Sequence, residues 1–204
     1  MFPWKAVAFD IADLLAPVQQ QHPLDAFWNH CSAAGAPPSA STRRRPLTAP
    51  LNLAALAEQQ ALTWAPEQWQ QLQQCSAEWL AAGACRGDAA QLLAALQQAD
   101  IRWGLCSNAS VLDSALVDCL PQQPDAMVWS FAEGVLKPAP QMYQQLCRRL
   151  DVAEHELLWL GSRWKEDVEG PRRLGIRSLQ LDRSGKLRSD DALHSLAELI
   201  KRLG

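Results

Sequence analysis

Lys5-Ala6-Val7-Ala8-Phe9-Asp10 is a short apolar run that ends on a carboxylate. Four consecutive apolar residues suit a strand covered on both faces, as in parallel sheets with helices above and below. Such a strand delivers the next residue to the carboxyl edge of the sheet, where open α/β folds bind their ligands. That residue is Asp10. Taken alone, a carboxylate there is a cap for the following turn. Its chemical meaning depends on what else the chain brings to the same edge.

Downstream of Gly87 the strand pattern returns. Asp88 reads as the N-cap of a helix over 89–99. Residues 101–106 read as a second strand ending at Ser107-Asn108, and 126–129 as a third. Residues 157–160 read as a fourth, ending at Gly161-Ser162, and 176–181 as a fifth. Helices are predicted over 111–119, 140–150, within 167–174, and over 191–203. The last would turn Leu193, Leu196, Leu199, Ile200 and Leu203 inward. Strands alternating with helices predict the α/β class, a Rossmann-like three-layer core around a parallel five-stranded sheet.

Residues 16–84 hold no strand run. Helices are predicted over 23–34, over 51–62, and from Pro66 to Gly83, with Pro66 in a first-turn position. A polar loop over 39–48 carries Arg43-Arg44-Arg45. The expected division is a core of residues 1–15 and 85–204, with an all-helical cap of residues 16–84 over the edge that bears Asp10.

Composition narrows the function classes. The chain has 204 residues, 48% of them hydrophobic, so it can bury a sizeable core. A net charge of −3 argues against a nucleic-acid or acidic-membrane partner. No apolar run is long enough to span a bilayer, and no signal-peptide pattern precedes the first strand. The six cysteines are scattered, without a CxxC pair or histidines at metal spacing. They read as reduced, buried thiols, and the expectation is a soluble, cytoplasmic protein with a small-molecule substrate. The sequence carries no signal for an oligomeric state.

Four polar points now share the carboxyl edge: Asp10, Ser107-Asn108, Lys137-Pro138, and the stretch from Ser162 to Asp167. Each has a plain structural role when taken singly, as a cap or a solvated loop residue. In their order and spacing they resemble the four motifs of the haloacid dehalogenase-like (HAD) hydrolases. The stretches that carry the resemblance are VAFDIADLL (7–15), WGLCSNAS (103–110), EGVLKPAPQMYQQLCRRL (133–150) and LLWLGSRWKEDVEGPRRLGI (157–176). It extends over about residues 5–182, with the helical block as the family's inserted cap.

The resemblance implies that Asp10 is a nucleophile, forming a covalent aspartyl intermediate that water then cleaves. It makes Ser107 and Lys137 the groups that bind the transferring oxygens. It also implies Mg²⁺, held by Asp10, the Ala12 carbonyl and Asp167. Asn108, Trp164 and Arg44 are the substrate-contact candidates. Trp164 either lines a pocket for an apolar substrate part or packs on the cap, and the arginine run is either a carboxylate clamp or solvated surface.

The sequence departs from the family pattern where chemistry is concentrated. Its phosphatases carry an acid two residues after the nucleophile, where Ala12 stands. Loss of a positioned acid–base group costs about two to four orders of magnitude in rate. Asp13 is one residue further on and should point elsewhere. Ser162 stands in place of the usual aspartate after Gly161, which weakens the expected Mg²⁺ site. Pro171 predicts a late helix start, with Asp167 in a loop. Three readings follow: a phosphatase of small phosphate monoesters with a degraded acid and metal site, a metal-free 2-haloacid dehalogenase-like enzyme, or a catalytically inactive binding protein. Of nine tryptophans, Trp103, Trp129 and Trp159 are expected in the core and Trp28, Trp69 and Trp79 in the cap. His22, His30, His155 and His194 lie outside the motifs and read as surface or packing residues. Cys106 reads as a buried, inert thiol.

Overall fold

The computed structural model describes residues 3–60 and 62–201. In chain order the elements are β1 (Ala6–Phe9), α1 (Ile11–Leu14), α2 (Pro23–Ala33), α3 (Ala40–Arg44), α4 (Leu53–Gln60), α5 (Pro66–Ala81) and α6 (Gly87–Gln98). There follow β2 (Arg102–Ser107), α7 (Val111–Ser114), β3 (Ala126–Trp129), α8 (Ser130–Glu133), α9 (Pro140–Leu150) and β4 (Leu157–Gly161). The chain ends with α10 (Gly170–Arg172), β5 (Arg177–Leu181), β6 (Ala192–Leu193) and α11 (Ala197–Ile200).

The strands form one six-stranded sheet in the order β3-β2-β1-β4-β5-β6, with every pair parallel. Alternation along each strand feeds two cores. Val7, Phe9, Leu158 and Leu160 face a layer with Leu92, Leu93 and Leu96 of α6 and Leu199 of α11. Ala6, Ala8, Leu157 and Trp159 face the other layer, with Met142, Tyr143, Leu146 and Leu150 of α9. Burial on both sides is why β1 reads as an unbroken apolar run rather than an alternating one.

The sheet order reverses direction at β1, which pairs with β2 on one side and β4 on the other. A switch of this kind leaves a crevice beyond the strand ends. Register sharpens the point. Phe9 lies level with Leu105 and Leu160, so Asp10, Ser107 and Gly161 leave the same edge within two residues of one another.

The sequence reading and the structure differ at four places. A sixth strand replaces the start of the expected terminal helix. Ala192 and Leu193 pair with Gln180 and Leu181, and only Ala197–Ile200 are helical. Leu193, Leu196 and Leu199 are buried as the spacing predicts, because a short strand and a turn of helix meet one core. Leu203 lies outside the described residues. In the second place, Asp88 does not cap α6; the helix begins at Gly87. The Asp88 carboxylate instead takes the Leu196 N–H (2.9 Å) and the Ser195 hydroxyl (3.1 Å) and pairs with Arg183 (2.7 Å). In the third, the polar loop over 39–48 contains α3, which Ser39 caps through Thr42 N–H at 3.1 Å. In the fourth, Asp167 is not in a loop. It sits in a wide π-helical turn over Trp164–Glu169, and α10 restarts at Gly170 with Pro171 in its first turn.

The helical insert packs its own small core from Leu24, Phe27, Trp28, Cys31, Leu53, Leu56 and Leu72. Its two crossings to the sheet domain are tied together. Ala16 N–H donates to Ala84 O at 2.8 Å, and Arg86 N–H to Leu14 O at 2.9 Å. It also reaches α7. Leu24 N–H donates to His22 Nδ1 at 3.1 Å, which leaves Nε2 to donate to Asp113 at 3.0 Å. Trp79 packs edge-on against that imidazole. Among the described residues, no helix is long and apolar enough to cross a membrane.

Candidate active site

Asp10 follows β1 and caps α1, with Oδ1 accepting the Ala12 N–H at 3.0 Å. Its plain structural role is therefore real, but it uses one oxygen. The other, Oδ2, accepts from Lys137 Nζ at 2.9 Å. Lys137 reaches in from the loop between α8 and α9, 127 residues away in sequence. The same ammonium donates to Asp167 Oδ1 at 2.6 Å, and the Lys137 and Asp167 side chains are fully buried. Below the ammonium lies the ring of Trp159, 5.3 Å to its centroid. A buried lysine persists only when paired, and here two carboxylates and an aromatic face surround it.

Charge follows from this packing. Burial raises the Asp10 pKa, but the Lys137 ammonium and its hydrogen bond outweigh burial, so Asp10 stays ionised below the ordinary carboxylate range. Burial alone would lower the Lys137 pKa; the Asp10 and Asp167 charges reverse this and raise it. Asp13 has no such cation. Burial first, and then the Asp10 charge, push its carboxyl up to about 6.

Ser107 ends β2 with its Oγ accepting the Ile11 N–H at 2.8 Å. The Ser107 hydroxyl proton has no acceptor among the described residues, which leaves it free to donate to a ligand. Asn108 spends its amide on the lysine loop: Oδ1 accepts the Lys137 N–H at 2.7 Å and Nδ2 donates to Lys137 O at 3.0 Å. It positions Lys137 and also lines the cavity beside Asp10. Gly161 completes the edge for a steric reason. A Cβ there would lie 2.4 Å from the Asp167 side chain, so only glycine lets Asp167 turn back to the lysine.

Beside these groups opens a cavity of about 400 Å³ lined by Asp10, Ala12, Ser107, Asn108, Arg86 and Arg163, with Trp79 of the insert on its wall. A wider groove of about 590 Å³ runs along Gln144, Arg148 and Asp151, between α9 and the start of β4. That groove is at the opposite edge of the sheet, away from the Lys137 cluster, so chemistry rather than volume locates the site.

Of the expected site residues, the fold brings Asp10, Ser107, Asn108, Lys137, Asp167 and the Ala12 backbone together. Trp164 and Arg44 stand elsewhere. Trp164 is 52% exposed, with the Arg172 guanidinium over its ring, and Arg44 is exposed in the last turn of α3. Asp13 turns aside, its Oδ2 accepting the Ser162 N–H at 3.0 Å. Cys106 is buried, and burial pushes its thiol up to about 12, so it is no nucleophile at neutral pH. The sequence reading passed over Arg86, Arg163 and the His22–Asp113 bridge. Arg163 was legible as a cation inside the fourth motif, whereas Arg86 sits where the insert returns to the core and has no motif to mark it.

The donor set also bears on Mg²⁺, which takes a near-octahedral oxygen shell. Both Asp167 oxygens are engaged, one by Lys137 and the other by the Arg163 N–H at 3.0 Å. Both Asp10 oxygens also accept hydrogen bonds. Ser162 supplies no carboxylate, and the described residues contain no group of three His, Cys, Asp or Glu poised around one point. The residues as arranged do not fit a Mg²⁺ site.

A stretch of 63 residues is 38% identical to the bovine (Bos taurus) phospholysine phosphohistidine inorganic pyrophosphate phosphatase, covering 31% of this chain and 23% of that protein. A stretch of 118 residues is 32% identical to phosphatase MT3486 of Mycobacterium tuberculosis (strain CDC 1551 / Oshkosh), covering 55% and 52% of the two chains. The chain thus spans about half or less of the length of these curated relatives. In fold it resembles the crystal structure of a 2-haloacid dehalogenase from Pseudomonas syringae pv. Tomato DC3000, with a TM-score of 0.62, 19% identity and 98% of each chain covered. A family model described as haloacid dehalogenase-like hydrolase matches residues 4–175, and the chain belongs to that family.

Proposed function

We propose that this chain is a hydrolase of small phosphate monoesters that works through an aspartyl intermediate on Asp10. The observation that carries the reading is the ionised Asp10 carboxylate, held 2.9 Å from a buried lysine at the wall of a cavity. An Asp10 oxygen attacks phosphorus, the ester P–O bond breaks, and the alcohol leaves with a proton drawn from solvent, because Ala12 offers none. Water then attacks the aspartyl phosphate and releases inorganic phosphate, restoring the carboxylate. Ser107 donates its free hydroxyl proton to a phosphoryl oxygen, and Lys137 orients Asp10 and offsets developing charge. The missing acid makes turnover slow for alkyl esters, whose leaving groups need a proton, and faster for aryl esters, which do not. The helices over residues 16–84 act as a cap that excludes water from this cavity.

Sequence likeness to two phosphatases supports the phosphate class. A second reading rests on the engaged Asp167 and on Ser162: a 2-haloacid dehalogenase-like reaction needs no metal, and Asp10 would attack carbon and expel halide. Turnover of p-nitrophenyl phosphate and of 2-chloropropionate, by wild type and by Asp10→Asn, decides between them. Phosphatase activity that vanishes in Asp10→Asn is the expected result. An unchanged rate in that variant removes Asp10 as the nucleophile. Halide release without phosphatase activity selects the second reading.

A further inference from the structure

Two arginines, Arg86 and Arg163, line the Asp10 cavity, and neither forms an ion pair among the described residues; Arg163 acts on the Asp10 charge only at longer range. Arg86 lies where the helical insert returns to the sheet domain, and Arg163 lies in the turn after β4. Both line the cavity beside Asp10, and both line an adjoining cavity of about 420 Å³ in front of Ser162 and Asp182. Arg86 Nε is buried and has no hydrogen-bond partner among the described residues. The acids nearby are already committed. Asp113 accepts from His22 and Ser110, Asp13 from the Ser162 N–H, and Asp182 from Ser184 and the Leu187 N–H. A desolvated donor without an acceptor costs free energy, and two like charges facing one space add to it. An anion entering that space removes both penalties, and guanidinium is the side chain best matched to planar or tetrahedral oxyanions.

We propose that the cavity is a two-anion site: Asp10, Ser107 and Lys137 take the reacting group, and Arg86 with Arg163 clamps a second anionic group, carboxylate or phosphate, on the same small substrate. This rests on the reading of Asp10 as the reacting centre, and it fixes the substrate class within that reading. The arginines do not discriminate the two oxyanions by charge, so the choice is made by span. A carboxylate one or two carbons from the phosphoryl group and a phosphate three carbons away place their oxygens differently.

Binding of non-hydrolysable ligands tests it without any turnover. Ethylphosphonate carries one anionic group, phosphonoacetate adds a carboxylate, and propane-1,3-bisphosphonate adds a second phosphoryl group. Calorimetric titration of the unaltered protein should show one of the latter two binding about tenfold or more tighter than ethylphosphonate, the scale expected of one charge-assisted contact. Which of them wins names the second anion. Arg86→Gln and Arg163→Gln should each shrink that preference, and the double variant should erase it. Arg86→Lys, which keeps the charge, should retain part of it and covers the case in which the glutamine variant fails to fold. Equal binding of all three ligands, or a preference that survives in the double variant, overturns the proposal. Because no ligand here is hydrolysed, absence of phosphatase activity leaves this result standing on its own.

Discussion

Lys137 shows how much of the site depends on one side chain. Its ammonium is fully buried between Asp10 and Asp167, and removing it would leave two carboxylates facing each other in a dry pocket. Breaking such a cluster by deleting one partner destabilises by about 3–5 kcal/mol. Lys137→Met should therefore lose that much in urea unfolding at pH 7. The pH dependence has a definite sign. Burial raises the Asp10 pKa, Lys137 outweighs it, and the folded value ends below 3.8. In the wild type this contribution is present above pH 3.8 and is lost as pH falls through the folded value. The gap between wild type and Lys137→Met should then narrow in acid. Equal stabilities at pH 7 would mean that the ammonium is hydrated and the cluster open. Cys106 offers a second check at this scale. With its thiol pushed up to about 12 by burial, it should react with iodoacetamide at pH 8 only at the rate set by unfolding, while the partly exposed Cys75, Cys85 and Cys119 react without it.

The elements repeat the lesson that polar tethers decide what apolar spacing leaves open. Strands β1 to β5 were legible as short, mostly apolar runs bounded by polar or turn residues, and α9 because its buried residues keep helical spacing over three turns. The carboxyl-edge residues were legible for the same reason, since strand ends announce what they carry. The chain after Ser189 was not. Leu193, Leu196 and Leu199 satisfy a helical stripe, yet Gln180 N–H to Asp191 O (2.8 Å) and Asp182 N–H to Leu193 O (2.7 Å) draw 192–193 into the sheet. Asp88 then holds the turn that follows, gripping Leu196 N–H, Ser195 and Arg183 from another element. A carboxylate that tethers a segment more than a hundred residues later looks, in sequence, like a cap. Asp88→Ala should loosen β6 and α11, costing about 1–3 kcal/mol for the donors it strands. Burial raises the Asp88 pKa, but the bonds from Arg183, Leu196 and Ser195 outweigh it, so the folded value lies below 3.8. The tether is therefore present above pH 3.8 and fails as pH falls through the folded value. Amide exchange at Leu196 should quicken in the variant at pH 7; unchanged protection would place the anchor elsewhere.

For the molecule as a whole, the site exists because distant segments converge at one switch point. Asp10 comes from the first crossing of the insert, Arg86 from the second, Ser107 from the end of β2, Lys137 from a loop and Asp167 from the helical turn after β4. The balance of charge at that point also sets the expected response to metal. Lys137 is shared between Asp10 and Asp167 and offsets one of their two charges, and Arg86 and Arg163 add two further cations on the cavity side. A divalent ion entering there meets cations instead of a ring of free carboxylates, and it must break the Asp167 bonds to Lys137 and Arg163 before gaining Asp167 as a ligand. Substrate turnover should therefore survive exhaustive chelation, and calorimetric titration with Mg²⁺ should give no heat beyond dilution at concentrations that saturate ordinary Mg²⁺ sites. Arg163→Asp supplies the contrasting case. It removes one cation and adds a carboxylate next to Ser162, so it should raise Mg²⁺ affinity above that of the wild type. Wild-type activity that collapses with chelator and returns with Mg²⁺ would show that Asp167 leaves the lysine in the working enzyme, and the charge balance described for this edge would have to be redrawn around the ion.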